Sequence, residues 1–263
     1  FSAQSRRTSF QLQQVSYGRA TRDAEPHEGI VARTRASVPE SVARAVDTCE
    51  VERVSIPTFD EVVALAKAAP RPVGVYPETK HPSHFRALGL PMEDALIAVL
   101  QRHGLAEARD RVFIQSFEVG NLEALRRQTR LPLVQLVAAS GGPADRPGLS
   151  YAAMTTPAGL RAIASYADAI GAEKVLIAPR DGDGRLLPAT SLVRDAHAAG
   201  LKVHAWTFRP ENYFLPTQFR RGDNPAASGD AQGEIAAFLA TGLDGLFSDS
   251  VPPARAAVDA RPR

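Results

Sequence analysis

Cysteine is nearly absent from this 263-residue chain: Cys49 stands alone, which excludes an internal disulfide and a cysteine-rich zinc site. Lysine is scarce too, at positions 67, 80, 174 and 202, so each is conspicuous against a background of arginine. No run approaches the ~18 apolar residues of a membrane-spanning helix. The chain opens at Phe1 without a charged region followed by an apolar one, and the missing initiator Met suggests a processed or truncated start. Acids and bases nearly balance, at a formal +2 with no long basic run; this speaks against a nucleic-acid surface and leaves a small anionic substrate open. The six histidines, at 27, 81, 84, 103, 197 and 204, lack the spacing of a zinc site. No serine or cysteine sits in a nucleophile elbow, and no glycine-rich phosphate loop follows a strand. Metal-assisted or acid–base chemistry is what remains.

Two regions differ in composition. Residues 1–53 are rich in Arg, Ser, Ala and Gln, hold almost no Leu or Ile, and read as an irregular segment with neither a helical nor a strand period. From Ile56 onward short apolar runs alternate with amphipathic segments, the pattern of βα units around a parallel sheet. Length and a 44% hydrophobic content fit one barrel-sized domain, with residues 54–258 as the barrel portion and 259–263 as a tail. Thr58-Phe59-Asp60-Glu61 has the form of a capping box opening a helix. Further helices are predicted over residues 91–103, 156–170, 190–199 and 234–241, the last four closed by Gly104, Gly171, Gly200 and Gly242. Strands are predicted at residues 73–76, 112–115, 133–137, 174–177, 202–206 and 245–247, each short and almost continuously apolar, as buried parallel strands are. The fold class is therefore α/β, an incomplete (β/α)8 or TIM-type barrel of about six βα units. Its first two strands, expected before Ile56, are not recognisable.

In such barrels reactive groups lie at the C-terminal ends of the strands. That rule selects Glu78 and Lys80, two residues apart on one side of an extended segment, where Glu78 suits a hard cation and Lys80 a phosphoryl oxygen. The same spacing also suits an ion pair on a surface loop. Gln115 and Gln135 lie inside apolar runs, where a buried amide needs partners that either a ligand or the protein supplies. Trp206, the lone tryptophan, stands at a strand end and serves equally as a substrate wall or as core. Arg180, Asp181 and Asp183 follow the strand predicted at 174–177, and Asp181-Gly182-Asp183-Gly184 reads as a turn because it lacks the later ligands of a calcium loop.

Several separated motifs carry a resemblance. Ile56-Pro57-Thr58-Phe59-Asp60-Glu61-Val62, Val73-Gly74-Val75-Tyr76-Pro77-Glu78-Thr79-Lys80-His81-Pro82, Val112-Phe113-Ile114-Gln115-Ser116-Phe117-Glu118 and Leu131-Pro132-Leu133-Val134-Gln135-Leu136 resemble, in order and spacing, the glycerophosphodiester phosphodiesterase family. His204-Ala205-Trp206-Thr207-Phe208-Arg209-Pro210-Glu211-Asn212 and Gly242-Leu243-Asp244-Gly245-Leu246-Phe247-Ser248-Asp249 are similar to its last two strand ends. The resemblance spans about residues 54–257. It implies metal-assisted hydrolysis of small-molecule glycerophosphodiesters to glycerol 3-phosphate and an alcohol. The implied cofactor is a divalent cation, Ca2+ or Mg2+, held by three carboxylates, with two histidines as acid and base. Carried over residue by residue, Glu78 is one metal ligand and Lys80 the phosphate contact, with Phe117 and Trp206 lining the glycerol pocket. The Phe214-Leu215-Pro216 loop resembles the extracytoplasmic bacterial branch and implies a periplasmic or secreted protein, with a cytoplasmic one as the alternative.

The family's opening motifs, which carry both histidines and two of the three carboxylates, are not recognisable before Ile56. His27-Glu28-Gly29 lacks the apolar strand that should precede it. Three readings follow: a phosphodiesterase whose front part is lost, with residues 1–50 as out-of-frame translation; a barrel-fold binding module without catalysis; and another metal-dependent phosphodiesterase, such as a phospholipase D-like relative. The strand-end motifs favour the first.

Overall fold

Thr58 opens the first described helix as its sequence requires. Its side chain accepts the Glu61 amide while the Glu61 carboxylate accepts the Thr58 amide, so two otherwise unpaired N–H groups are satisfied at once. A computed structural model of the protein describes residues 57–261 and the backbone of Phe10–Gln11. The readings of residues 1–53 and of the last two tail residues otherwise lie outside the described residues.

The strands are β1 (Phe10–Gln11), β2 (Ile114–Ser116), β3 (Leu133–Val137), β4 (Ala169–Glu173), β5 (Lys202–Phe208) and β6 (Gly245–Ser248). The helices are α1 (Phe59–Ala68), α2 (Pro82–Ala87), α3 (Glu93–Arg102), α4 (Val119–Arg126), α5 (Tyr151–Met154), α6 (Pro157–Ile163), α7 (Lys174–Ile177), α8 (Leu192–Ala198), α9 (Ala231–Leu239) and α10 (Val251–Asp259). All strand pairings are parallel, in the order β1-β6-β5-β4-β3-β2. Helices connect successive strands, so the sheet is a curled part of a (β/α)8 barrel. Phe10–Gln11, inside the segment read as aperiodic, pairs with Leu246 and Phe247 at one edge.

The predicted strand at 73–76 is present as a broken one. Val75 bridges Val112 and Glu78 bridges Gln115, both in parallel. The ladder skips between them because Pro77 has a carbonyl, which accepts from the Gln115 amide, but no N–H to return.

The fourth predicted strand is misplaced and is corrected by the structure. Lys174–Ile177 is one helical turn, α7, and the strand is Ala169–Glu173, whose first two residues fall in the end of the helix predicted over 156–170. That helix, α6, stops at Ile163, after which the Asp168 carboxylate accepts the Leu133 amide and the Asp168 amide donates to the Leu133 carbonyl. Those two bonds set β4 against β3. The small residues of β4 admit the neighbouring strand's side chains: a Cβ on Gly171 would lie 2.5 Å from Leu136 Cδ2. Arg180, Asp181 and Asp183 therefore follow α7 rather than a strand, and Asp181 Oδ1 accepts the Asp183 and Arg185 amides in a tight turn.

Val75, Ile114, Leu133, Val137, Ile170, Val203, Ala205 and Leu246 join the helices in one core. The residues that alternate with them in the strands point to the concave side. Rings from strands that are not neighbours meet there: Phe117, just past β2, packs edge-on against Trp206 of β5.

Candidate functional site

The segment after Tyr76 carries the most concentrated polar chemistry of the concave face. Glu78 is 1% exposed and sits beside Gln115 through the parallel bridge. Lys80 Nζ lies 3.9 Å from Glu78 Oε1 and its side chain is 38% exposed. The two charges do pair, but between a buried carboxylate and a half-exposed ammonium rather than across a surface loop.

A polar network holds this segment in place. The Thr79 amide donates to the Gln115 carbonyl at 3.0 Å, and the Thr79 hydroxyl donates to Asn121 Oδ1 at 2.6 Å. Asn121 Nδ2 in turn donates to Glu93 Oε1, which also takes the Arg86 guanidinium. The Ser116 hydroxyl donates to the Thr79 carbonyl, and Glu118 Oε2 accepts the Ser83 amide at the start of α2. Glu118 is the strand-end acid of the motif at residues 112–118, whereas Glu93 and Asn121 went unnoticed in the sequence; only their positions, polar residues among the apolar faces of α3 and α4, could have flagged them.

Beside this segment, Phe117 and Trp206 form an apolar corner, with ring centroids 5.9 Å apart at 85°. The Trp206 indole donates to the Gly171 carbonyl at 2.8 Å, which fixes the ring, and Tyr151 supports Phe117 from behind at 6.1 Å. Glu173 stands opposite Trp206 in the β4–β5 register, and its carboxylate accepts the Ala139 amide. Misplacement of β4 hid Glu173 from the sequence reading.

Gln115 and Gln135 have different surroundings. Gln115 is 3% exposed, and among the described residues its Oε1 has no hydrogen-bond partner, although it is buried beside Glu78. Gln135 is fully buried with both ends engaged. Its Nε2 donates to the Phe117 and Leu136 carbonyls, and its Oε1 accepts the Tyr166 hydroxyl at 2.9 Å. It lies on the helix-facing side of β3 with Leu133 and Val137, so the structure does not bring Gln135 to the other candidates. Glu78, Lys80, Gln115, Phe117 and Trp206 do share the concave face.

One layer below, Tyr76 and His204 are hydrogen-bonded, hydroxyl to Nδ1, at 2.7 Å. Burial holds His204 down to about 4, against a weaker opposing pull from Asp244, and raises the Tyr76 hydroxyl well above its ordinary value. Both are therefore neutral near neutrality. On the far side of Trp206, Lys174 and Arg180 converge on the buried Glu234 and on the Phe214 carbonyl. Burial lowers Lys174 and raises Glu234, each partly offset by the other's charge. These contacts pin the loop after β5 over the strand ends.

Among the described residues no three of His, Cys, Asp and Glu gather as a metal would need. Glu78 supplies one carboxylate toward a cation without completing a ligand set.

Comparison with known proteins fits this geometry. The pattern of the glycerophosphoryl diester phosphodiesterase family matches residues 6–252. The chain belongs to this family. The match reaches further toward the N-terminus than the motifs starting at Ile56. A glycerophosphodiester phosphodiesterase of Arabidopsis thaliana is 34% identical over 205 residues, covering 73% of this chain and 53% of that protein. One from Treponema pallidum is 27% identical over 188 residues, covering 63% and 51%. This family member thus spans about half the length of those relatives. Its fold is similar to a solved glycerophosphoryl diester phosphodiesterase structure from Silicibacter pomeroyi, with a TM-score of 0.53 at 23% identity over 78% of this chain and 57% of that one.

Proposed function

We propose that the concave face binds the glycerol phosphate half of a glycerophosphodiester, and that the reaction it serves is hydrolysis to glycerol 3-phosphate and an alcohol. The observation that carries this is the convergence of Glu78, Lys80, Gln115, Phe117 and Trp206 at the C-terminal strand ends of a chain in this family. Lys80, a cationic donor on the open side of the site, offsets the charge of a non-bridging phosphoryl oxygen. Phe117 and Trp206 flank the glycerol carbons and exclude water. Gln115 Oε1 is an acceptor for a glycerol hydroxyl, which makes the bond that the described residues leave unmade.

In the hydrolysis a water oxygen bonds to phosphorus, the phosphorus–oxygen bond to the alcohol breaks, and the departing oxygen takes a proton. A base on the water side and an acid on the alcohol side speed such a step about 10²–10⁴-fold. The described residues place no histidine at the site, since His204 lies beneath it in a bond to Tyr76 and His81 stands at the start of α2. A divalent cation, Ca2+ or Mg2+, belongs to the proposal through the family. Glu78 would be a ligand to it from this face, and the cation would offset charge on the phosphate.

The sole tryptophan supplies the test. Titration with glycerol 3-phosphate is expected to change Trp206 emission saturably, and Lys80→Met to weaken binding about tenfold, the usual worth of a charge-assisted contact. Hydrolysis of glycerophosphocholine by the 263-residue chain is expected to be slow. Rapid turnover abolished by Glu78→Ala would place an acid and a base outside the described residues, whereas a chain that neither binds nor hydrolyses would sink the reading.

A further inference from the structure

Beneath the site four rings of the described residues form an aromatic layer on the concave face. Tyr76 comes from the broken strand, Phe113 from the approach to β2, His204 from β5 and Phe247 from β6. Tyr76 packs against Phe113 at 5.1 Å and Phe247 at 4.9 Å, and His204 meets Tyr76 and Phe113 edge-on at 5.8 and 5.1 Å. Room for the imidazole exists because its partner in the register is glycine: a Cβ on Gly245 would lie 2.7 Å from His204 Cδ2. His204 and the broken strand are not neighbours in the sheet. Between them, β2, β3 and β4 intervene, so the 2.7 Å bond from Tyr76 to His204 crosses the interior instead of following the ladder.

Two residues further along, on the same face, each wall carries a member of the site: Glu78 follows Tyr76 and Trp206 follows His204. The wall bearing Glu78 needs this tie more than the others do. Its ladder is interrupted at Pro77, and its only described strand neighbour is β2.

We infer that Tyr76 and His204 are positioning residues, whose hydrogen bond across the barrel floor sets the span between the wall that carries Glu78 and Lys80 and the wall that carries Trp206. The inference deepens the glycerol phosphate reading of that same face. Neither residue touches the substrate; each acts through the residue two places on.

Two readouts separate the tie from the functional reading. Acrylamide quenching of Trp206 in the ligand-free full chain tests the tie alone. Tyr76→Phe keeps the ring and removes one hydroxyl; it is expected to raise the quenching constant about twofold, as is His204→Leu, because losing one buried bond loosens the wall by a few-fold in population. His204→Asn keeps an amide near the Nδ1 position and is expected to stay close to wild type. Glycerol 3-phosphate titration of the same variants should show affinity about fivefold weaker for Tyr76→Phe, with rescue in His204→Asn. Unchanged quenching in Tyr76→Phe, with only a lower melting temperature, would make the bond purely structural and overturn the inference. If quenching changes but no variant, wild type included, responds to glycerol 3-phosphate, the tie stands and the functional reading falls. Tyr76→Phe is the mildest of these changes and decides the matter even where His204→Leu does not fold.

Discussion

Gln115 and Gln135 are the same residue type in the same kind of apolar run, and alternation along their strands sends them to opposite faces. Gln135 points to the helices and spends its amide on the Phe117 and Leu136 carbonyls and the Tyr166 hydroxyl; Gln115 points inward with an acceptor that no described residue engages. Nothing local in the sequence separates them, because period-two alternation fixes which residues share a face but not which face is concave. Glu78 was legible through the order of motifs around it, since its spacing from Lys80 alone suits a surface ion pair as well. His204 makes the residue-scale prediction. Its folded-state value of about 4 lies below the ordinary 6.5, so between these values the unfolded chain binds more protons, and stability rises with pH. The contribution is complete above about pH 6.5 and is lost as pH falls toward 4, by about 3 kcal/mol at most. Asp244 and Lys202 are the charges that act on the ring. Urea denaturation of wild type and His204→Asn from pH 7 to 4 should show the steeper loss in wild type; parallel curves would show that the buried imidazole does not control acid sensitivity.

At the scale of elements, helices with side-chain caps were the most legible, since a cap is a local bond between residues close in sequence. Thr58 with Glu61 and Thr156 with Gly159 each make that bond; Asp230 with Gly233 makes it too, but opens α9 at Ala231, three residues before the predicted start at 234. Strand β4 was the failure. Ala169-Ile170-Gly171-Ala172 has no strong preference for strand over helix, and the more β-branched Val175-Leu176-Ile177 nearby drew the reading four or five residues too far along. Tertiary context decides it, because only small residues fit beneath Leu136 and Val134 while bonding to β3 and β5. Gly171→Ala tests this: the new methyl would need Leu136 to move, and a loss of about 1–3 kcal/mol is expected by urea unfolding. Leu136→Ala in the same background should recover part of that loss, whereas additive losses would show that the two side chains do not compete for the space.

At the scale of the whole molecule, the parallel order and the strand-end site follow from each other, since a curled parallel sheet brings the C-terminal ends of all its strands to one rim. β3, β4 and β5 are flanked on both sides, while the 75–79 segment is held through β2 and the cross-barrel bond. Hydrogen exchange should therefore be slowest in the amides of β3–β5 and clearly faster at Thr79. Equal protection across both would show the broken strand to be as firmly held as the sheet centre.

By itself the sequence determined the alternating βα pattern, the helix caps, the family and the pair Glu78 and Lys80, because each is written in short-range order: periodicity, a three-residue capping interval, a motif. Only the tertiary structure decided that Gln135 turns away from the site, that β4 begins at Ala169, that Glu173 stands opposite Trp206, and that Tyr76 meets His204 from 128 residues away. Those outcomes depend on which strands become neighbours and which face closes inward, and packing selects both from choices that the local sequence leaves equal in energy.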